Sequence, residues 1–349
     1  MIPQFYSKAR TFQQLLTRFP CRILTSKTST YCTSKSVKSQ FDYERTRHRK
    51  KPNIQASDRL LKAESQVFDY NSWDHVQWDE EQEQQAKNIV ENHSVVQIDK
   101  VQSETLNNDV GKSWDAFYNV HQNRFFKDRH WLFTEFTEIV EPLPPTTDTT
   151  GSEQPTKNIL EIGCGVGNSV FPIVEHCKND RVFVYGCDFS ENAVNILKEH
   201  DEYNPERCQA FVCDVTADEW NAPFPPESLD IVLLIFVLNA INPNKMQHVI
   251  NQVYKYLKPG GLVLFRDYGR YDLVQLRFKK GRCVQDNFYA RGDGTLVYFF
   301  TQEEVKEMFT KAGFVEKQNI IDRRLQVNRG KQIKMYRVWI QAKYMKPLT

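Results

Sequence analysis

Acidic residues are missing from the start of this chain. The first 41 residues contain no Asp or Glu, while Lys8, Arg10, Arg18, Arg22, Lys27, Lys35 and Lys38 are basic and Ser and Thr are abundant. On a helical wheel Phe5, Phe12, Leu16 and Phe19 share one face, with Arg10 and Arg18 on the other. This is the composition of a mitochondrial transit peptide, so a mitochondrial (matrix) address is expected. A basic tail that binds RNA in the cytosol has the same composition and stays open as the alternative. The eight cysteines include no C-x-x-C pair, and the eight histidines include no pair at ligand spacing. That argues against a zinc site, and a disulfide scaffold is not expected in so large a domain. No apolar run approaches the length of a membrane span, and no internal repeat is visible.

The 349 residues suffice for one large α/β domain with extensions. Four parts are expected. Residues 1–41 are the targeting segment, and 42–140 are a charged, aromatic-rich N-terminal region. A Pro/Thr/Gly/Ser-rich stretch, 141–156, reads as a flexible loop, and 157–349 form the main domain. Within the N-terminal region, Asp79 to Asn92 reads as a charged helix.

The main domain opens on Asn158-Ile159-Leu160-Glu161-Ile162-Gly163-Cys164-Gly165-Val166-Gly167-Asn168. A short apolar run leads into glycines at alternate positions, then a polar residue where a helix can start. This predicts a buried strand, a turn too tight for Cβ atoms, and a helix N-terminus whose N–H groups can approach a bound cofactor. The spacing G-x-G-x-G differs from the dinucleotide G-x-G-x-x-G. With Glu161 two residues before the first glycine, it resembles motif I of the class I S-adenosylmethionine-dependent methyltransferases. Cys164 reads as a small packing residue rather than a nucleophile.

Strand and helix signals then alternate. Arg181 to Cys187 reads as a strand ending at Asp188, where a carboxylate can accept from both ribose hydroxyls. Ser190 is a good cap for a helix through Leu197. Gln209 to Cys213 is a third strand ending at Asp214, placed to accept from an adenine amino group. Leu229 to Phe236 is apolar on both faces, as a central parallel strand should be. Lys245 to Leu257 reads as a helix stopped by Pro259-Gly260-Gly261, and Leu262 to Phe265 as a fifth strand.

Around this core, basic and aromatic residues are interleaved. Trp114 to Tyr118 is followed by Asn123 to Leu132, then by Phe265 to Asp272, Leu276 to Lys279, Asn287 to Thr295 and Tyr298 to Thr301. Single-stranded RNA binding needs this mix, with cations for phosphates and flat rings for unstacked bases. Core packing under a solvated charged face produces it too.

These blocks resemble the tRNA N3-methylcytidine methyltransferases, the methyltransferase-like enzymes that modify a cytidine in the tRNA anticodon loop. Phe-Phe-Lys-Asp-Arg-His-Trp, Gly-Cys-Gly-Val-Gly-Asn, Cys-Asp-Phe-Ser, Leu-Ile-Phe-Val-Leu, Phe-Arg-Asp-Tyr-Gly and Asn-Phe-Tyr-x-Arg-x-Asp-Gly-Thr look like the family's signatures, over residues 68 to 347. Val327 to Lys331 and Tyr336 to Ile340 resemble the branch acting on threonine-type tRNAs. The resemblance implies an α/β class I methyltransferase fold, Rossmann-like. Its mostly parallel seven-stranded sheet would carry helices on both faces and a helical, aromatic-rich N-terminal extension. It implies S-adenosyl-L-methionine as cofactor and N3-methylcytidine at position 32 as product. Gly163, Gly165 and Gly167 would line the methionine end, Asp188 would hold the ribose, and Asp214 with Val215 would frame the adenine. Ile235 would pack beneath the cofactor, and Trp114 and Tyr118 would fold over it, although this pair also reads as the core of a helix.

RNA contacts are expected from Lys127, Arg129, His130, Trp131, Arg266, Tyr268, Arg270, Arg277, Arg291, Arg329 and Lys331. The partner is the tRNA anticodon loop, with an aminoacyl-tRNA synthetase or accessory tRNA-binding protein as an optional helper, and with neither membrane nor metal. Neutral cytosine offers its N3 lone pair without a general base, but the base must be unpaired and flipped out to expose it. Catalysis then rests on positioning and electrostatics. Asp267, placed just past the fifth strand, is the expected carboxylate beside the cytosine; a partner of Arg266 or Arg270 is its other reading. Two further classes remain open: a methyltransferase for a small molecule or protein, and a non-catalytic RNA-binding subunit that keeps the cofactor fold. The intact glycine loop with both carboxylates argues against the second, and the RNA-side blocks against the first.

Overall fold

Apolar residues at period two decide which way each strand of the main sheet faces. The computed structural model describes residues 59–142, 156–177 and 181–348. The chain divides into the units Met1–Ser57 and Asp58–Thr349, and the described residues belong to the second. The targeting segment 1–41 and most of the 141–156 loop lie outside the described residues.

Strand β1 (Ser72–Trp73) is followed by helices α1 (Glu80–Ser94), α2 (Lys100–Asn108), α3 (Val110–His121) and the one-turn α4 (Leu132–Glu135). Then come β2 (Lys157–Ile162), α5 (Val170–His176), β3 (Val182–Asp188), α6 (Glu191–Lys198), β4 (Cys208–Val212), β5 (Leu229–Ile235), α7 (Pro243–Tyr256) and β6 (Leu257–Tyr268). The one-turn α8 (Leu273–Leu276), β7 (Cys283–Gln285), β8 (Phe288–Ala290), β9 (Leu296–Tyr298), α9 (Gln302–Lys311), β10 (Val315–Asn328) and β11 (Ile333–Met345) complete the chain.

The main sheet runs β1-β10-β11-β6-β5-β2-β3-β4. Strands β2 to β6 pair in parallel, and β11, β10 and β1 extend the sheet antiparallel. Eight strands replace the expected seven, because Ser72 and Trp73 pair with Gln326 and Leu325 on the outer edge of β10. Trp73 anchors this edge: its ring is buried with Val67, Leu325 and Val327, and its Nε1–H donates to the Val67 carbonyl at 2.8 Å.

Helices cover both faces. Leu160, Ile162, Val232, Leu234, Val263 and Phe265 pack against Met246, Val249, Ile250 and Val253 of α7 and Val305 and Phe309 of α9. Their neighbours Ile159, Ile231, Leu233 and Leu264 turn to the other face, against Val170, Phe171 and Ile173 of α5 and Val194 and Leu197 of α6. Helix ends follow local chemistry: Asp79 accepts from the Gln82 N–H at 2.7 Å, and Ser190 Oγ from the Ala193 N–H at 3.2 Å.

Two sequence expectations change here. Strand β6 continues to Tyr268 because β11 pairs with it from Leu262 to Tyr268, so Arg266 and Asp267 lie within the strand. The Asn287–Thr295 block belongs to a three-stranded sheet, β7-β8-β9, in which Phe288, Tyr289, Leu296 and Val297 are buried. Those rings are core, not an open stacking surface. Among the described residues, no helix is long and apolar enough to cross a membrane.

Candidate active site

A cavity of about 940 Å³ opens at the carboxyl ends of the parallel strands. Parallel sheets bind ligands there because the connecting loops diverge and helix N-termini converge. Its floor is Gly163, Cys164, Gly165, Cys187, Asp188, Cys213, Asp214 and Val215. Asn107, Val110, Gly111, Trp114 and Tyr118 of α2 and α3 form one wall. Phe236, Tyr268, Arg337 and Trp339 form another, and Phe126, Lys127, Arg129 and Trp131 stand between them.

The floor explains two of its glycines by close approach. A Cβ on Gly163 would sit 2.4 Å from Val237 Cγ2, and one on Gly165 would sit 2.5 Å from the Tyr118 hydroxyl. Gly167 does something else. It does not line the cavity, and a Cβ there would strike the Phe171 ring at 2.4 Å, so it lets α5 pack on the loop. Asp188 is buried; its Oδ2 accepts from the Gly165 N–H and its Oδ1 from the Ser190 N–H, each at 2.9 Å. Burial raises its pKa to about 6, against the pull of these two N–H groups. Asp214 is exposed on the cavity wall, and its Oδ1 accepts from both the N–H and the hydroxyl of Thr216 at 2.8 Å. Val215 is buried beside it. Ile235 is core and does not reach the cavity; the next residues, Phe236 and Val237, do. Burial holds the Cys164 thiol well above its ordinary pKa, in keeping with a packing role. Trp114 and Tyr118 lie one helical turn apart with ring centroids 6.0 Å apart and share a small cluster with Phe117 and Val166, so both face the glycine loop.

Of the ring-lined wall only Tyr268 was expected from the sequence; Phe236, Arg337 and Trp339 were not. Phe236 has φ +58°, a conformation that costs a bulky side chain free energy and is retained at functional sites. Its ring lies 5.2 Å from Tyr268 and 6.4 Å from Trp339. The Arg337 guanidinium stacks over Trp339 at 4.9 Å and over Tyr268 at 5.9 Å. Asp272, fully buried, holds it in place: Arg337 Nε donates to Asp272 Oδ2 at 2.9 Å. Arg337 and Trp339 are two apart on β11, so they share a face. That spacing was the available signal, but which face meets a cavity depends on pairing with β6.

Among the expected RNA-side residues, Lys127, Arg129, Trp131 and Tyr268 line the cavity. Lys127 is exposed. Arg129 is not a free phosphate contact: Nη1 donates to Glu161 at 2.9 Å and to Ser169 Oγ at 3.0 Å. Glu161, fully buried, is raised to about 7 by burial, with Arg129 pulling the other way. Arg266 is 4% exposed, bonded to Asp322 and Gln341 and clasped between Trp131 at 5.0 Å and Trp339 at 4.7 Å. It is an internal cation, not an RNA contact. Arg270 pairs with Glu304 at 2.6 Å and donates to the Phe299 carbonyl, which also takes it out of the RNA set. Arg291 stands 6.0 Å over Tyr268 without lining the cavity. His130 and Arg277 are exposed away from its walls. Arg329 lines a separate surface groove with Asn71, Ser72 and Met335, and Lys331 is exposed at the β10–β11 tip.

Asp267 is corrected as well. It is fully buried and absent from the cavity wall. Its Oδ2 accepts from the Asn239 N–H at 3.0 Å and its Oδ1 from the Tyr268 N–H at 2.8 Å. Neither Arg266 nor Arg270 is its partner. Among the described residues, no group of His, Cys, Asp and Glu could hold a metal ion.

Comparison with known proteins agrees with this geometry. A family model described as a methyltransferase domain matches residues 129–317. The chain is 54% identical over 306 residues to the tRNA N(3)-methylcytidine methyltransferase Mettl2 of Drosophila melanogaster, covering 88% of this chain and 92% of that protein. It is 50% identical to the tRNA N(3)-cytidine methyltransferase METTL2 of Xenopus tropicalis, covering 84% and 94%. The tRNA(Thr) (cytosine(32)-N(3))-methyltransferase of Saccharomyces cerevisiae is 43% identical, over 83% of this chain and 45% of the yeast protein. A glycine loop flanked by two strand-end carboxylates, and the fly and frog relatives aligned along most of their length, lead to one assignment: the chain belongs to the tRNA N3-cytidine methyltransferase family.

Proposed function

We propose that this chain transfers a methyl group from S-adenosyl-L-methionine to N3 of a cytidine in the anticodon loop of tRNA. The residue is position 32, as in the name of the yeast relative, with threonine-type tRNA as the first substrate to test. The observation that carries this reading is one cavity with two unlike halves: a glycine floor with acidic strand ends, and a wall of rings with an arginine.

The floor fits the cofactor. Gly163 and Gly165 line the floor without a Cβ, which lets Val237 and Tyr118 close on the loop. Asp188 would hold the ribose, Asp214 and Val215 the adenine, and Trp114 and Tyr118 would cover it. When bound, S-adenosyl-L-methionine supplies an electrophilic methyl group on a sulfonium. The chain's own task is positioning. Phe236 and Tyr268 offer ring surface on which an unpaired base can stack, with Trp339, held by Arg266 and Arg337, packed beside Phe236. Arg337, fixed by Asp272, offers donors to the base or its phosphate. Lys127 at the rim is free to meet phosphate. No base is required, because N3 of cytosine carries an available lone pair.

tRNA is the partner this reading requires. An aminoacyl-tRNA synthetase or accessory tRNA-binding protein would act in choosing isoacceptors. The acid-free segment 1–41 supports a mitochondrial address; a reporter carrying it would enter mitochondria, and a diffuse cytosolic reporter would count against it.

The test is transfer of labelled methyl from cofactor to purified tRNA, protein and metabolite fractions by the chain alone. Label in tRNA, recovered as N3-methylcytidine at position 32, is expected. Label in the protein or metabolite fraction instead would overturn the substrate, and no transfer at all would point to a non-catalytic subunit.

A further inference from the structure

Arg129 joins the glycine loop to the segment at the RNA-facing rim. Its Nη1 reaches Glu161, just before the loop, and Ser169, just after it. Its backbone N–H donates to the Asn168 carbonyl at 2.8 Å, and Asn168 Nδ2 donates to Asp128 at 3.2 Å. The Arg129 side chain is 16% exposed and that of Glu161 1%. The pair is therefore largely out of water, where Arg129 Nη1 and Glu161 Oε1 hold each other in fixed geometry. Its neighbours Phe126, Lys127 and Trp131 stand on the cavity wall with it. Upstream, the same stretch of chain carries Trp114 and Tyr118, and Asp115 accepts from Ser190 Oγ at 2.6 Å beside Asp188. One continuous segment thus roofs the cofactor half and forms the rim of the other half, fastened at Arg129 to both ends of the glycine loop.

We propose that Arg129 is a positioning residue that couples the two ligands: cofactor seated on the glycine loop fixes Arg129, and with it the Phe126–Trp131 rim that meets tRNA. This rests on the function proposed above. A ligand that fixes the loop removes freedom the rim would otherwise lose when tRNA binds, so each ligand favours the other. Linkage requires the effect to be equal in both directions.

The experiment measures tRNA affinity by fluorescence anisotropy with and without saturating S-adenosylhomocysteine, which cannot turn over. It also measures S-adenosylhomocysteine affinity by calorimetry with and without tRNA. The wild-type protein is expected to show the same ratio both ways, about fivefold or more, within the usual range of coupled sites. Arg129→Lys keeps a cation near Glu161, but its ammonium stops one bond short of the Nη1 position that serves both Glu161 and Ser169, and it should bring both ratios close to one. Lys127→Ala should weaken tRNA binding equally in both states and leave the ratio intact. If Arg129→Lys does not fold, Asp128→Ala cuts only the Asn168 link and should lower the ratio partway. A wild-type ratio of one, or an unchanged ratio in the folded Arg129→Lys protein (in Asp128→Ala if that is the one that folds), overturns the coupling. Methylation of tRNA by the same preparation separates the two failures. Methylation with a ratio of one sinks only the coupling, and absence of both tRNA binding and methylation sinks the function and the coupling together.

Discussion

Arg266 and Asp267 are consecutive, and the pleat of β6 sends them to opposite faces of a sheet covered on both sides. Arg266 joins the face of Leu264, where Trp131, Trp339, Asp322 and Gln341 enclose it. A buried guanidinium between two indoles fixes both rings, and both rings line the cavity. Arg266→Lys keeps the charge but loses the planar fork and the stacking. It should lower unfolding stability by about 2–4 kcal/mol, from the weakened buried ion pair and lost packing. Tryptophan emission should shift to the red as the indoles gain water. Arg266→Met, which removes the charge, should leave the salt slope of tRNA binding unchanged, and a shallower slope in a folded Arg266→Met protein would restore Arg266 to the phosphate contacts.

The loop after β5 is the element on which the site turns. Phe236 and Val237 leave the strand, Leu238 to Ala240 form one 3₁₀ turn, and Asn242 caps α7 by accepting from the Asn244 N–H at 3.0 Å. Asp267 ties this turn to the end of β6 through the Asn239 N–H. In Asp267→Asn one oxygen becomes an amide donor, so a buried N–H loses its acceptor, at a cost of about 1–3 kcal/mol. Turnover and thermal stability should fall together, and the pH profile of the single-turnover rate should keep its shape. A variant with wild-type stability and a rate cut tenfold or more would make Asp267 a catalytic group after all. Local chemistry made much of this region legible from sequence: period two, glycines and acidic strand ends place β2, β3, β5, Asp188 and Asp214 without knowledge of distant residues. What stayed hidden depends on pairing across the chain. Arg337 and Trp339 reach the cavity only because β11 lies antiparallel on β6, and β1 exists only because β10 offers it an edge. Arginine composition misled for the same reason. Arg129, Arg266 and Arg270 look like phosphate ligands until Glu161, Asp322 and Glu304 arrive from elsewhere in the sequence.

At the scale of the whole molecule, four buried carboxylates among the described residues make the fold pH-sensitive: Glu161, Asp188, Asp267 and Asp272, the last raised by burial against the pull of Arg337. Burial raises Glu161 and Asp267 to about 7 and Asp188 to about 6. In the unfolded chain such groups titrate near 4. Between about pH 5 and 7 the folded, cofactor-free protein therefore binds more protons than the unfolded chain, and stability falls as pH rises through that window. His93 opposes this: burial lowers its pKa, so its folded form stays neutral and gains stability with rising pH. One imidazole against four carboxylates leaves the net sign negative. The urea midpoint of cofactor-free protein should be lower at pH 7.5 than at pH 5.5, by an amount worth roughly 1–4 kcal/mol. Binding should run the other way. Asp188 can accept from both ribose hydroxyls with both oxygens only when ionised, so affinity for S-adenosylhomocysteine should hold above about pH 6 and weaken below it as the carboxyl takes up its proton. Saturating S-adenosylhomocysteine should then raise the midpoint more at pH 7.5 than at pH 5.5, flattening the profile. A midpoint that rises with pH in the cofactor-free protein would mean that these carboxylates ionise at ordinary values, and that the loop N–H groups compensate their burial in full.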